Sequence, residues 1–110
     1  MRYTDLFITK PDLYISKNKN GTKWTIKTEW SIIETKITAT EGVEFDEVTE
    51  YGRQFKSLLT NKDGKLIIVQ KDASTGNVWS KIVRELINDH LVMTCKVGNV
   101  VCKRYFKRKI

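Results

Sequence analysis

The C-terminal run Val100-Val101-Cys102-Lys103-Arg104-Tyr105-Phe106 holds the residues whose types could do chemistry together. Written as a strand, its period of two sends Cys102, Arg104 and Phe106 to one face and Lys103, Tyr105 and Lys107 to the other. A face that mixes apolar groups with one fixed cation has the composition of a pocket for an apolar molecule with an anionic head. The guanidinium pairs a carboxylate bidentately while the neighbouring side chains cover the tail. The plainer reading of these residues is a basic, solvated tail, and the segment alone favours it. The surrounding elements decide between the two.

A chain of 110 residues makes one domain, residues 1–110, with a single core. Its formal charge of +7 suits anionic lipid surfaces, nucleic acids or acidic ligands, and constrains association rather than fold. No block of like charges precedes the last few residues, so most of the charge reads as solvated strand faces. No apolar run is long enough to cross a bilayer, and Met1 to Asp5 lacks the apolar stretch of a signal peptide, so a cytoplasmic protein is the expectation. Cys95 and Cys102 are too few for a disulfide scaffold and lack the partners of a zinc site. Reduced thiols facing an apolar interior are expected, with no metal and no cofactor.

From near Pro11 onward, short β-prone runs alternate with turn signals: Asn20-Gly21, Glu41-Gly42, Tyr51-Gly52, Asp63-Gly64, Gly76-Asn77, Asn88-Asp89 and Gly98-Asn99. This spacing describes an all-β antiparallel meander, with no long helix. Within it Trp24, Ile26, Thr28 and Trp30 share one face, and Thr25, Lys27 and Glu29 the other. Phe55, Ser57 and Leu59 oppose Lys56 and Leu58; Leu66, Ile68 and Gln70 oppose Lys65, Ile67 and Lys71. The inner faces thus carry Thr28, Ser57 and Gln70 among hydrophobes. Polar groups inside a small barrel need partners or water, so a wet, ligand-sized cavity explains them better than a dry core does.

Enzymatic chemistry finds no support. His90, the only histidine, reads as a solvated turn residue beside Asn88-Asp89, and the acidic residues read as lying mostly at strand ends or alternating outward, with no close pair in an apolar cleft. There is no nucleophile motif, phosphate loop or metal-ligand cluster. A nucleic-acid-binding barrel is the rival from another class, but it needs aromatics and cations on one exposed face. Trp24 and Trp30 share theirs with Ile26 while the lysines lie opposite, so no nucleic acid is expected as partner.

Taken in order, Lys10-Pro11, the run Gly42-Val43-Glu44-Phe45-Asp46-Glu47-Val48-Thr49, Arg53 with Lys56-Ser57, Leu66 to Lys71, Val83-Arg84-Glu85 and Val100 to Arg104 resemble the intracellular lipid-binding proteins, from about Lys10 onward. These are the fatty-acid-binding and cellular retinoid-binding proteins. The resemblance implies an antiparallel up-and-down β-barrel of the calycin-like kind, here of about nine or ten strands, carrying a hydrophobic ligand without catalysis. It implies that Arg84 and Arg104 hold the ligand's carboxylate, directly or through water. Retinol-binding members carry glutamine at such positions, so two arginines imply an acid. A long-chain fatty acid is the first expectation and a retinoic-acid-type ligand the alternative. Phe106 stands where many fatty-acid carriers place a tyrosine, and Tyr105 points to the other face.

Trp24, Ile26, Thr28, Trp30, Phe55, Ser57, Ile68, Gln70, Ile82, Met93, Cys95, Cys102 and Phe106 are the expected cavity residues, with Leu13, Ile15, Ile37 and Leu66 as further tail contacts. Cys95 and Cys102 lie opposite each other if the Gly98-Asn99 turn has two residues. A strained cross-strand disulfide is conceivable there, and a reduced pair in the cavity is the expectation.

Residues 1–9 leave no room for the family's first strand and helical lid, so the lid is expected to be largely absent and strand edges to stand open after Pro11 and near Phe106. Three outcomes follow. Tyr3 to Ile8 fold back as a substitute strand, the two edges pair with each other, or chains join edge to edge as a homodimer; the first is favoured. Transient contact with anionic membranes, and a truncated product that binds nothing, complete the expectations.

Overall fold

Turn chemistry sets the strand boundaries. Asp63-Gly64 and Asn88-Asp89 are two-residue connections in which both residues take positive φ, 52° and 81° in the first and 50° and 66° in the second. That is the type I′ geometry whose twist matches the strands it joins, and Asp, Asn and Gly are the residues that tolerate it. In the computed structural model, which describes residues 2–5, 12–19, 21–29, 34–48 and 52–109, these and the other turns separate ten strands. They are β1 (Arg2–Asp5), β2 (Asp12–Lys17), β3 (Lys23–Glu29), β4 (Glu34–Thr40), β5 (Phe45–Val48), β6 (Gln54–Lys62), β7 (Lys65–Asp72), β8 (Val78–Ile87), β9 (His90–Val97) and β10 (Val100–Lys109). The described residues contain no helix.

All ten belong to one antiparallel sheet in the order β4-β3-β2-β1-β10-β9-β8-β7-β6-β5. β1 lies between β2 and β10: Tyr3 is in register with Leu13 on one side and Arg108 on the other, and Asp5 with Phe106. The edges expected to stand open after Pro11 and near Phe106 are therefore paired, because β1 offers both rows of its backbone groups. This substitute strand ends at Asp5; Leu6 to Ile8, Lys10 and Pro11 lie outside the described residues. The unpaired edges of the sheet are instead β4 and β5. With the basis for edge-to-edge association at β2 and β10 removed, a single chain carries the ten-stranded arrangement.

Inward-facing apolar residues from every strand except β5 and β8 meet in one buried cluster, among them Tyr3, Leu13, Ile26, Leu59, Ile68, Leu91 and Phe106. The sheet must curl for residues so distant in strand order to touch, which makes it a barrel with a seam between β4 and β5. Along β6 the expected alternation holds: Phe55, Ser57 and Leu59 are buried and Lys56, Leu58 and Thr60 exposed.

Polar ties fix the two ends. At one, Trp24 Nε1 donates to Glu41 Oε1 at 2.7 Å, joining β3 to the turn after β4. At the other, Arg53 Nη2 donates to Asp72 Oδ2 at 3.0 Å while its guanidinium lies 3.4 Å from the centre of the Trp79 ring. Asp72 also accepts from the hydroxyl and backbone N–H of Ser74, and these bonds, ahead of Arg53, hold its carboxyl at about 2.

Tyr3 is 3% exposed and is the residue through which β1 joins the core. The Tyr3→Ala variant is expected to lose about 3 kcal/mol in guanidinium unfolding, as large-to-small core substitutions do. A loss below about 1 kcal/mol would show that β1 is dispensable to the barrel.

Candidate ligand cavity

Strand register assembles the cationic row. Arg84 on β8 is in register with Leu66 on β7 and Met93 on β9, and Met93 with Arg104 on β10. The two arginines thus sit two strands apart, about 10 Å at ordinary strand spacing, with Met93 between them. Alternation turns this row inward. It borders a cavity of about 440 Å³, a size suited to a small molecule. Arg84, Met93, Arg104 and Phe106 form one side; Leu13, Thr28, Ile37 and Phe45 come from the strands leading to the seam. Both seam strands contribute to the wall, so the missing ladder between β4 and β5 makes room for the cavity.

Arg84 is 7% exposed, and its Nε and Nη1 are buried with no hydrogen-bond partner among the described residues. Burial pushes its pKa down to about 10, opposed by attraction to Glu47 and, less, to Cys95. The side chain is therefore charged at neutral pH, and a buried charge with open donors is unfavourable by several kcal/mol until something accepts from them. Arg104, beyond Met93 in the same row, is half-buried.

Glu47 is a correction to the expectation that the acidic residues face outward. On β5, Phe45 is in register with Ser57 and Glu47 with Phe55, which directs Glu47 inward. Ser57 Oγ donates to Glu47 Oε1 at 2.7 Å and Gln70 Nε2 donates to the same oxygen at 2.9 Å. Ser80 Oγ donates in turn to Gln70 Oε1. This chain satisfies the buried hydroxyls of Ser57 and Ser80 without water. Ser80 and Glu47 were the members that sequence reasoning did not assign.

Of the expected cavity residues, Thr28, Met93 and Phe106 line it with the two arginines, while Ser57 and Gln70 reach it through Glu47. Ile26 and Ile68 pack in the core cluster, Ile82 is half-buried on β8, and the Phe55 ring lies 6.3 Å from that of Trp79. Trp24 stands apart from the lining, bonded to Glu41, and Trp30 lies outside the described residues. Tyr105 is exposed on the outer face. Cys95 and Cys102 are direct register partners and both are free thiols. The pair is not enclosed as expected: Cys95 is half-buried, but Cys102 is exposed because it lies near the open start of β10. His90 is the first residue of β9, half-buried, with Nδ1 3.1 Å from the Asn88 carbonyl oxygen. Among the described residues no group of His, Cys, Asp and Glu could hold a metal ion, and no helix is long and apolar enough to cross a membrane.

An up-and-down antiparallel barrel with a cavity that mixes apolar walls and inward cations defines a lipid-binding barrel. The chain belongs to the lipocalin / cytosolic fatty-acid binding protein family, whose model matches residues 9–109. Fatty acid-binding protein homolog 5 of Caenorhabditis elegans is 39% identical over 100 residues, 91% of this chain and 72% of that protein. Human fatty acid-binding protein 9 is 36% identical over 105 residues, 92% of this chain and 73% of that protein. Among solved structures, the REP1-NXSQ fatty acid transporter superposes with a TM-score of 0.79 at 33% identity, covering 91% of this chain and 71% of that one. Proteins of this cytosolic fatty-acid binding family are carriers and not enzymes.

If the open donors of Arg84 weaken the empty barrel, an apolar side chain of similar length should relieve it. The Arg84→Met variant, freed of lipid, is expected to unfold at higher denaturant than the wild type, by on the order of 1–3 kcal/mol. Equal or lower stability would mean that Arg84 is already satisfied within the empty protein.

Proposed function

We propose that this protein is a non-enzymatic carrier of a hydrophobic carboxylate, a long-chain fatty acid in the first place, with Arg84 and Arg104 at the head group and Thr28, Met93 and Phe106 along the nearby chain. One observation carries the reading: a charged guanidinium buried against a cavity, with two of its donor nitrogens unpartnered among the described residues. A carboxylate supplies two acceptor oxygens and the compensating charge at once. The names of the relatives point the same way. A retinoic-acid-type ligand shares this head group and is the second reading.

Two cysteines in 110 residues are too few for the disulfide framework of a small secreted domain, which supports a cytoplasmic carrier. On the outer face Lys81 is in register with Lys96, and Lys103 is exposed nearby on β10. Like charges side by side favour a surface that neutralises them, and this supports transient contact with anionic membranes.

The test uses delipidated protein titrated with a fluorescent fatty acid and, separately, with single-stranded DNA across a salt series. Saturable fatty-acid binding is expected, weakened on the order of a hundredfold in the Arg84→Gln, Arg104→Gln double variant. Steeply salt-dependent DNA binding with no lipid binding would overturn the proposal.

A further inference from the structure

A cavity for a carboxylate gains nothing from holding a carboxylate of its own, yet Glu47 lines the same space as Arg84. Both of its hydrogen bonds, from Ser57 and Gln70, fall on Oε1. Among the described residues Oε2 accepts none, and the ion pairs do not include one between Glu47 and Arg84. The two are near enough for Glu47 to be the main charge that opposes the effect of burial on Arg84, but they do not satisfy each other. The cavity therefore presents unpartnered donors, Arg84 Nε and Nη1, together with a charged acceptor, Glu47 Oε2.

Glu47 is also held firmly for a side chain with a spare oxygen. Ser80 donates to Gln70 Oε1, which leaves the Gln70 amide nitrogen directed at Glu47, and the buried Ser57 adds a second donor. Three side chains on three strands thus fix an acceptor before any ligand arrives, the arrangement that lets a polar contact add affinity. An ionised carboxylate answers Arg84 but meets only repulsion from Glu47, because it has no proton to donate. A hydroxyl has one.

We infer that the cavity selects a fatty acid hydroxylated next to its carboxylate: the carboxylate accepts from Arg84 while the adjacent hydroxyl donates to Glu47 Oε2. This rests on the reading of Arg84 as the carboxylate site and adds Glu47 as the residue that sets specificity. A site with a fixed, half-buried acceptor discriminates against the analogue that lacks the donor, since binding that analogue covers the acceptor and leaves it unpaired. The aliphatic remainder of the two acids is the same, so the difference between them reports on the hydroxyl, and the loss of that difference in a Glu47 variant reports on Glu47.

The experiment measures the dissociation constants of palmitate, α-hydroxypalmitate and ω-hydroxypalmitate by displacement of a fluorescent probe from the delipidated full chain, wild type and Glu47→Gln. The wild type is expected to bind α-hydroxypalmitate about tenfold more tightly than either of the others. In Glu47→Gln the preference should shrink to within about threefold, chiefly because palmitate tightens once the opposing charge is gone. Equal wild-type affinities overturn the inference, and so does a preference that survives unchanged in Glu47→Gln. Should that variant not fold, Glu47→Asp, which draws the carboxylate back by one methylene, is measured in its place, and a preference that survives there overturns the inference likewise. Palmitate that binds without a hydroxyl preference, and binds more weakly in an Arg84→Gln variant measured alongside, removes only this inference. Failure of all three acids to bind removes the carboxylate site as well.

Discussion

A guanidinium stays charged wherever a fold buries it, and Arg84 is buried with donors that the described residues do not use. That constraint organises the interior. The charge that most opposes the effect of burial, Glu47, is pinned to Ser57 and Gln70 rather than bound to the arginine, so the cation is moderated without being quenched. A core that completed the pair would be a drier and more stable barrel. The polar chain through Ser80, Gln70, Glu47 and Ser57 keeps the acid and the base apart, and the space they share is where a ligand has something to offer.

The placement of the sheet's edges serves the same end. β1 completes the ladder between β2 and β10, where Phe106 and Leu13 contribute to both core and cavity wall. The break in the ladder falls between β4 and β5, which bring Thr35 to Thr38 and Phe45 to Val48 to the cavity. A barrel closed there would draw these strands to ladder spacing and take away part of the room. Edges elsewhere would have exposed backbone without enlarging the interior. A short N-terminal strand and a seam on the opposite side of the barrel therefore amount to one solution.

Much of this was legible in the chain, and the exceptions have physical reasons. On β6 the polar or charged Gln54, Lys56 and Thr60, with one apolar exception at Leu58, alternate with Phe55, Ser57 and Leu59, so the buried face could be assigned from pattern alone. The inward direction of Arg104 and the outward direction of Tyr105 follow from the same period on β10. Arg84 came from the family resemblance, because the exposed Leu86 and Ile87 that follow it blur the alternation of β8. Glu47 lies on a strand of four residues, Phe45-Asp46-Glu47-Val48, in which either face pairs one apolar residue with one acid. Only the register against β6 settles which acid turns inward, and register is a property of the folded sheet. Trp24 shares its face with the buried Ile26, yet position along the strand places it near Glu41, away from the cavity. Period two reports the face of a sheet and says nothing of depth along the barrel.

The central claim is that a ligand's carboxylate meets the buried charge of Arg84. It is tested most directly by carbon-13 NMR of palmitate labelled at its carboxyl and bound to the protein, followed as pH is lowered. A carboxylate against a desolvated guanidinium should remain ionised well below the range in which exposed carboxylic acids titrate, with its resonance unmoved until the protein itself unfolds. A bound carboxyl that titrates like one in water, or like one buried among apolar groups with its proton retained at higher pH, would contradict the account.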